Sequence, residues 1–495
     1  MDEPGSVFAD RPLILLSNRE PYEHVEGPDG EISVRLPPGG LVSALDPTLR
    51  RTHGVWVAWG SGSADRIMSD RFGRVAVPPP PEEPSYTLRR VWLDEADVEG
   101  YYLGFANSVL WPLCHLLIQH LQFRADQWER YRTVNARFAA AAAEEAERLS
   151  GRPIVWIQDY HLALVADLLR TDGMFIHQFW HIPFPPAEML HLLPYGVYEA
   201  LLRGLVGNDL LEFHTDRYAD NFLDCVAKLL PDAVVDRDAR AVSYRGRATS
   251  VGVFPISIDV ERFETLADDA DVARRAEALR AQYATDGRQL VVSVDRIDYT
   301  KGIPERLRAL DLLWQETPEL RGRFTMLIVM TPSRSELVPY HTLQAEIVAQ
   351  VNEINGRFAR HDWTPIVPLP ENADAPELAA IYRAADLCLV SSLQDGMNLV
   401  AKEFIACQID ERGVLVLSRF AGAAEEIDGA VLVNPFNVDG FAAGIRHALE
   451  MPISERRRRM HEMRERLRHA TIYDWLAAIT ERVSALISAP VPARP

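Results

Sequence analysis

Lysine is almost missing from this chain of 495 residues. Lys228, Lys301 and Lys402 are the only three, and the other 49 basic residues are arginine. Basic charge as a whole is in deficit: 52 basic against 71 acidic residues give a formal net charge of −19. That balance argues against a general polyanion binder, since gripping a phosphate backbone needs an excess of basic surface, so no nucleic-acid partner is expected. An anionic ligand must be held by a local cluster working against a repulsive global field. Long hydrophobic runs are also missing. Stretches such as 324–330 fall far short of the ~20 residues of a membrane-spanning helix, and no membrane partner is expected. The N-terminus opens on Asp2 and Glu3, without the basic start and apolar core of a signal peptide. The four cysteines, Cys114, Cys225, Cys388 and Cys407, show neither metal-ligand spacing nor a disulfide framework. A cytoplasmic, reducing location fits these absences.

What remains is an ordinary globular composition, 47% hydrophobic and 25% charged, in a chain too long for one core. Short apolar runs alternate with helical patterns. Strands are expected at 13–17, 55–59, 154–157 and 174–179, with a helix over 132–149 and a polar loop from Glu23 to Pro38. The pattern restarts with strands at 290–294, 324–330, 366–369, 387–391 and 414–417, and helices at 304–316, 343–357 and 398–408. Such alternation predicts βαβ units on parallel sheets, and two α/β sheets in tandem are the economical solution. The boundaries expected are 1–257 for an N-terminal domain, 258–472 for a C-terminal domain, and 473–495 for a final helix that packs back, on the N-terminal domain by preference.

In open α/β sheets, ligands bind beyond the carboxyl ends of the strands. Five predicted strand exits carry polar residues: Gln158-Asp159-Tyr160-His161, Trp180-His181, Arg296 through Lys301 to Gly302, Arg334, and Asp395-Gly396-Met397-Asn398. Arg296 and Lys301 share one strand-to-helix loop. Arginine grips phosphate as a fork and lysine as a point charge, although a solvated loop would also carry them. Gly396 to Val400 opens a helix whose free N–H groups suit an anion, or form an ordinary N-terminal turn. Glu403 could accept from ribose hydroxyls or simply be solvated. Gly39-Gly40 allows close backbone approach to a ligand or makes a plain turn. His177 and His181 lack the glutamate of a zinc motif, so no metal site is expected, and His181 suits a sugar hydroxyl. Lys301 and Lys402 both lie in these segments, as if an ammonium were needed where a guanidinium does not fit.

With Trp111-Pro112, His181-Ile182-Pro183-Phe184-Pro185, Arg296-Ile297-Asp298-Tyr299-Thr300-Lys301-Gly302 and the run from Asp395 to Glu403 added, the chain resembles the trehalose-6-phosphate synthases, a family of retaining glycosyltransferases. The resemblance extends from Leu13 to about Trp475. It implies the GT-B fold, two Rossmann-like domains facing each other across a catalytic cleft. It implies a donor, UDP-glucose or GDP-glucose, on the C-terminal domain and glucose 6-phosphate as acceptor on the N-terminal one. By matching motif, Arg296 and Lys301 hold the donor diphosphate with the amides of Asn398, Leu399 and Val400, beside Gly396 and Met397. Glu403 binds the ribose, Asp395 and His181 hold the transferred glucose, and Gly40 belongs to a glycine loop over the donor. Arg19, Tyr102, Trp111 and Arg334 hold the acceptor phosphate, Trp56 lines the acceptor site and Asp159 holds acceptor hydroxyls. Asp159, His181, Arg296, Lys301 and Asp395 form the catalytic set. A front-face mechanism follows, in which the leaving phosphate takes the acceptor proton; it needs no cofactor, no metal and no glycosidase-like carboxylate pair. A homo-oligomer is compatible with this, and a separate phosphatase is expected downstream. Relatives with another acceptor, such as glucosylglycerol phosphate synthases or aminocyclitol-coupling enzymes, and a sugar-nucleotide sensor without turnover, are the competing readings.

Overall fold

The computed structural model describes residues 11–36, 40–170, 173–334, 336–371 and 373–488. The chain forms two units. One comprises the chain up to Pro255 together with the segment from Trp475, and the other spans Ile256–Asp474.

The first unit is built on a ten-stranded sheet. From edge to edge its strands are Val234–Asp236, Ala241–Tyr244, Arg247–Val253, Leu210–Phe213, Phe175–Phe179, Ile154–Gln158, Leu13–Arg19, Val55–Trp59, Tyr86–Val91 and Arg74–Val77. The run from Arg247–Val253 to Tyr86–Val91 is parallel, and antiparallel strands close both edges. The central strands are buried along their length, which is why Leu13–Leu16 and Ile154–Ile157 read as continuous apolar runs rather than alternating ones. The strand order reverses between Leu13–Arg19 and Ile154–Gln158, so the exits of these two neighbours open a crevice at a topological switch point.

The second unit carries six parallel strands in the order Ile366–Pro368, Phe324–Thr331, Gln289–Arg296, Leu387–Val390, Val414–Ser418 and Val431–Val433. Numbered within the unit this is 3-2-1-4-5-6, the dinucleotide-fold order. Its switch point lies between Gln289–Arg296 and Leu387–Val390.

One segment departs from the sequence reading and another lies outside it. The expected loop from Glu23 contains a hairpin, Glu23–Glu26 paired with Ile32–Arg35. Its turn is closed by Gly27 N–H to Glu31 O at 2.8 Å, and Glu23 pairs with Arg35 across it. It lies outside the main sheet, burying the polar Glu23 and His24 while Ile32–Arg35 is exposed throughout, so no apolar alternation marks it in the sequence. Before Trp111, Val98–Leu110 forms a π-helix. Asn107 and Ser108 donate to the carbonyls five residues back, Tyr102 O and Leu103 O, each at 2.7 Å. Wide turns of this kind are rare and gather at functional sites.

The last helix, Ile472–Ser488, sends Trp475 into the first unit. Its ring lies 5.8 Å from Trp156 and 5.2 Å from Phe179, and its N–H donates to Phe254 O at 3.2 Å. No helix among the described residues is long and apolar enough to cross a membrane.

Candidate active site

In the first unit, Arg19 is the last residue of its strand and is exposed, while the six residues before it are buried. Its Nη2 donates to the Tyr102 hydroxyl at 3.1 Å. Tyr102 comes from the π-helix; its ring stacks on His161 at 5.8 Å and leans on Trp59 at 5.8 Å. Trp111 follows at the end of the π-helix, 6% exposed, its ring 5.9 Å from Tyr160. The structure therefore gathers Arg19 and Tyr102, with Trp111 behind them.

Trp56 does not join them. It is fully buried, its indole N–H donates to Ser17 Oγ at 2.7 Å, and its ring stacks on Tyr86. The expectation that it lines the acceptor site is corrected: its place is the core. Three residues further, at the strand's end, Trp59 pairs in register with Arg19 and keeps accessible surface. The strand end was the signal available in the sequence, because only the exit residue reaches the crevice.

Asp159 leaves its strand with φ 67° and ψ 177°, a region that essentially only glycine occupies and that costs about 1–3 kcal/mol for other residues. Its Oδ1 accepts the N–H of Tyr160 at 2.9 Å and of His181 at 3.2 Å, so the strained backbone is held from both sides. His181 stacks on Phe179 at 4.4 Å, and its Nε2 is 2.8 Å from Gln158 Oε1. Burial, with His214 beside it, pushes its pKa well below the usual histidine value. The imidazole is neutral at pH 7, suited to hydroxyl hydrogen bonds rather than to carrying charge.

In the second unit, Arg296 ends its strand and is exposed. The next turn, Tyr299–Lys301, is capped by Asp298. Gly302 then takes φ 62°, and a Cβ there would stand 2.2 Å from Ser391 O, so only glycine lets this turn meet the neighbouring strand exit. Ser391 Oγ donates back to Lys301 O at 2.9 Å. Beneath lies a pair that sequence reasoning missed: Arg306, fully buried, donates to Asp295 Oδ2 at 2.6 Å and Ser391 Oγ at 3.0 Å. Burial raises the Asp295 pKa, with Arg306 opposing. Arg306 lies inside an expected helix and had no sequence signal, while Asp295 stood at an expected strand exit with no role assigned to it.

Lys301 Nζ reaches Asp395 Oδ2 at 2.6 Å. Ser392 Oγ and Asn398 Nδ2 share that oxygen at 2.9 and 3.1 Å. Asn398, at φ 99°, caps Leu399–Cys407 through Ala401 N–H and leaves the first amides, those of Leu399 and Val400, at the helix start. The Met397 side chain is buried, so only its backbone and that of Gly396 can serve a ligand. On the same helix, Glu403 accepts from the Tyr382 hydroxyl at 2.9 Å, and burial raises its pKa.

Lys402 is not at the ligand face. It is 2% exposed and donates to Ile256 O and Glu426 Oε2, each at 2.8 Å. Lys228 pairs with Glu188 on the surface. Of the three lysines, Lys301 alone stands at the switch point. Gly40 opens the helix Gly40–Thr52, and Gly39 lies outside the described residues. Arg334, φ 47°, belongs to the second unit, where its Nη1 pairs with Asp298 Oδ2 at 3.0 Å.

Comparison with known proteins identifies the family. The model of glycosyltransferase family 20 matches residues 11–485. A bifunctional trehalose-6-phosphate synthase/phosphatase from Thermoproteus tenax is 39% identical over 490 residues, covering 96% of this chain; the chain spans 64% of that relative's length. A trehalose-6-phosphate synthase from Mycobacterium marinum is 39% identical over 499 residues, 97% of this chain and 96% of that protein. The crystal structure of a UDP-forming alpha,alpha-trehalose-phosphate synthase from Burkholderia xenovorans, in complex with glucose 6-phosphate, superposes with a TM-score of 0.83 at 32% identity, covering 96% of this chain and all of that one.

Proposed function

The chain belongs to glycosyltransferase family 20, and we propose that it is a trehalose-6-phosphate synthase of the GT-B fold, moving glucose with retention from a nucleoside-diphosphate glucose to glucose 6-phosphate. The observation that carries the reading is the convergence of Arg296, Lys301 and the Asn398-capped helix start at the switch point of the second unit. A fork, a point charge and free amides together suit a diphosphate. Glu403, held by Tyr382, takes the ribose hydroxyls. Asp395, oriented by Lys301, Ser392 and Asn398, takes hydroxyls of the transferred sugar, as does neutral His181. Arg19, Tyr102 and Trp111 receive the acceptor with Trp59 beside them, and Arg334 adds a cation for its phosphate. Asp159 holds acceptor hydroxyls.

The chemistry is a front-face displacement. The bond from the anomeric carbon to the diphosphate oxygen breaks as the acceptor hydroxyl approaches the same face, and that leaving oxygen takes the hydroxyl proton. Arg296 and Lys301 stabilise the growing charge. They do the electrostatic work of a metal, and we assign none. Activity should survive a chelator, and loss restored only by a divalent ion would sink this point. The product keeps its phosphate, so a phosphomonoesterase must act next. The four cysteines are unpaired and buried, which supports a reducing compartment.

The deciding experiment offers a panel of nucleoside-diphosphate glucoses with glucose 6-phosphate and resolves the products by mass. Trehalose 6-phosphate from UDP-glucose or GDP-glucose is expected. Its absence from every donor would refute the assignment.

A further inference from the structure

Asp298 is fully buried, a costly place for a carboxylate unless both its oxygens are matched. They are matched by different groups. Oδ1 accepts the Thr300 N–H and the Thr300 hydroxyl, each at 3.0 Å, and the Asp298 carbonyl accepts the Lys301 N–H at 3.0 Å. This side fixes the turn that carries Lys301. Oδ2 accepts from Arg334 Nη1 at 3.0 Å and faces the Tyr340 hydroxyl at 3.4 Å. Arg334 Nη1 also donates to that hydroxyl at 2.7 Å, so Tyr340 closes a triangle that fixes the guanidinium.

We propose that Asp298 is a positioning residue that sets two substrate-binding cations from one point, the Lys301 ammonium through Oδ1 and the Arg334 guanidinium through Oδ2. The inference rests on the synthase reading and the roles given there to Lys301 and Arg334. Both cations must be presented before substrate binds, because a group already held in place loses less freedom on binding. A single rigid carboxylate keeps their mutual geometry constant, because neither can shift without the other's anchor.

The two oxygens can be separated by mutation. Asp298→Asn keeps the shape and leaves a carbonyl oxygen for the Thr300 side, while its NH₂ then opposes the donors of Arg334. The KM for glucose 6-phosphate should rise on the order of tenfold or more, the value of a charge-assisted hydrogen bond, with the donor KM near wild type. Tyr340→Phe, which removes a hydroxyl shared by Arg334 and Asp298 Oδ2 and also facing Tyr299 of the Lys301 turn, should raise the acceptor KM more than the donor KM. Asp298→Ala should raise both. In an Arg334→Ala background, Asp298→Asn should add nothing to the acceptor KM, as expected of residues acting as one unit. Steady-state kinetics with each substrate varied in turn reads all of this, and melting temperatures show that the variants are folded. Should Asp298→Ala fail to fold, Tyr340→Phe and the double variant still decide. Equal rises in both KM values for Asp298→Asn, a fall in kcat alone, or additivity with Arg334→Ala would overturn the positioning role. A wild type that makes no product from any donor overturns the synthase reading, and this role with it.

Discussion

An ammonium already bound at 2.6 Å to a carboxylate, as Lys301 is to Asp395, must be shared with an arriving diphosphate. Sharing suits a compact point charge that can turn on its stem, and it explains a lysine at this place in an arginine-rich chain. Lys301→Ala should lower kcat about 10²–10³-fold, the usual loss for one electrostatic donor at a developing charge, and Lys301→Arg should recover little of it. Turnover near wild type in Lys301→Ala would contradict the role. A second prediction concerns His181, whose folded pKa lies well below the usual 6.5. Between those two values the unfolded chain binds a proton that the folded one refuses, so folding stability falls as the pH drops below about 6.5. The slope from this residue is at most about 1.4 kcal/mol per pH unit, and His181→Gln should flatten the curve of denaturant midpoint against pH. At this scale the sequence was legible where a side chain ends a buried strand, as with Arg19, Asp159 and Arg296. It was misleading where type alone guided the choice: Trp56 and Lys402 look chemical, yet one fills the core and the other ties its helix to Ile256 O. Whether a side chain points inward depends on packing by distant segments, and no local pattern reports it.

Elements with a buried face could be read directly, since parallel strands covered on both sides leave uninterrupted apolar runs. The hairpin and the π-helix could not. The former buries polar residues, Glu23 and His24, and exposes its second strand, and the latter obeys neither of the common periods while its side chains satisfy carbonyls five residues back. The turn that joins the strand Gln289–Arg296 to the helix Ile303–Glu316 permits a sharper test. Gly302→Ala adds a Cβ against Ser391 O on a left-handed backbone, and should cost about 2–4 kcal/mol in urea unfolding, with a raised donor KM because Lys301 is displaced. Gly287 also has a left-handed backbone, φ 78°, but nothing lies within 4 Å of an added Cβ. Gly287→Ala should therefore cost only about 1–2 kcal/mol and leave the donor KM unchanged. Equal losses in the two variants would show that the close approach to Ser391 contributes nothing.

Across the whole molecule, the chain leaves the first unit at Pro255 and re-enters it at Trp475. Trp475 is 4% exposed, and its ring meets Trp156 and Phe179 under two central strands. Trp475→Ala should destabilise that unit by about 3–5 kcal/mol, read as a lower urea midpoint, since it empties a large buried volume. An unchanged midpoint would mean that the final helix is only loosely attached. The same double crossing sets the order of events at the ribosome. Synthesis runs from the N-terminus, and domains tend to fold as they emerge. Here the sheet made first must wait, with the place of Trp475 unfilled, while more than two hundred further residues are translated. The unit encoded in the middle is complete sooner. The part begun first is finished last, and a chain cut after Asp474 would hold a whole second unit beside an incomplete first.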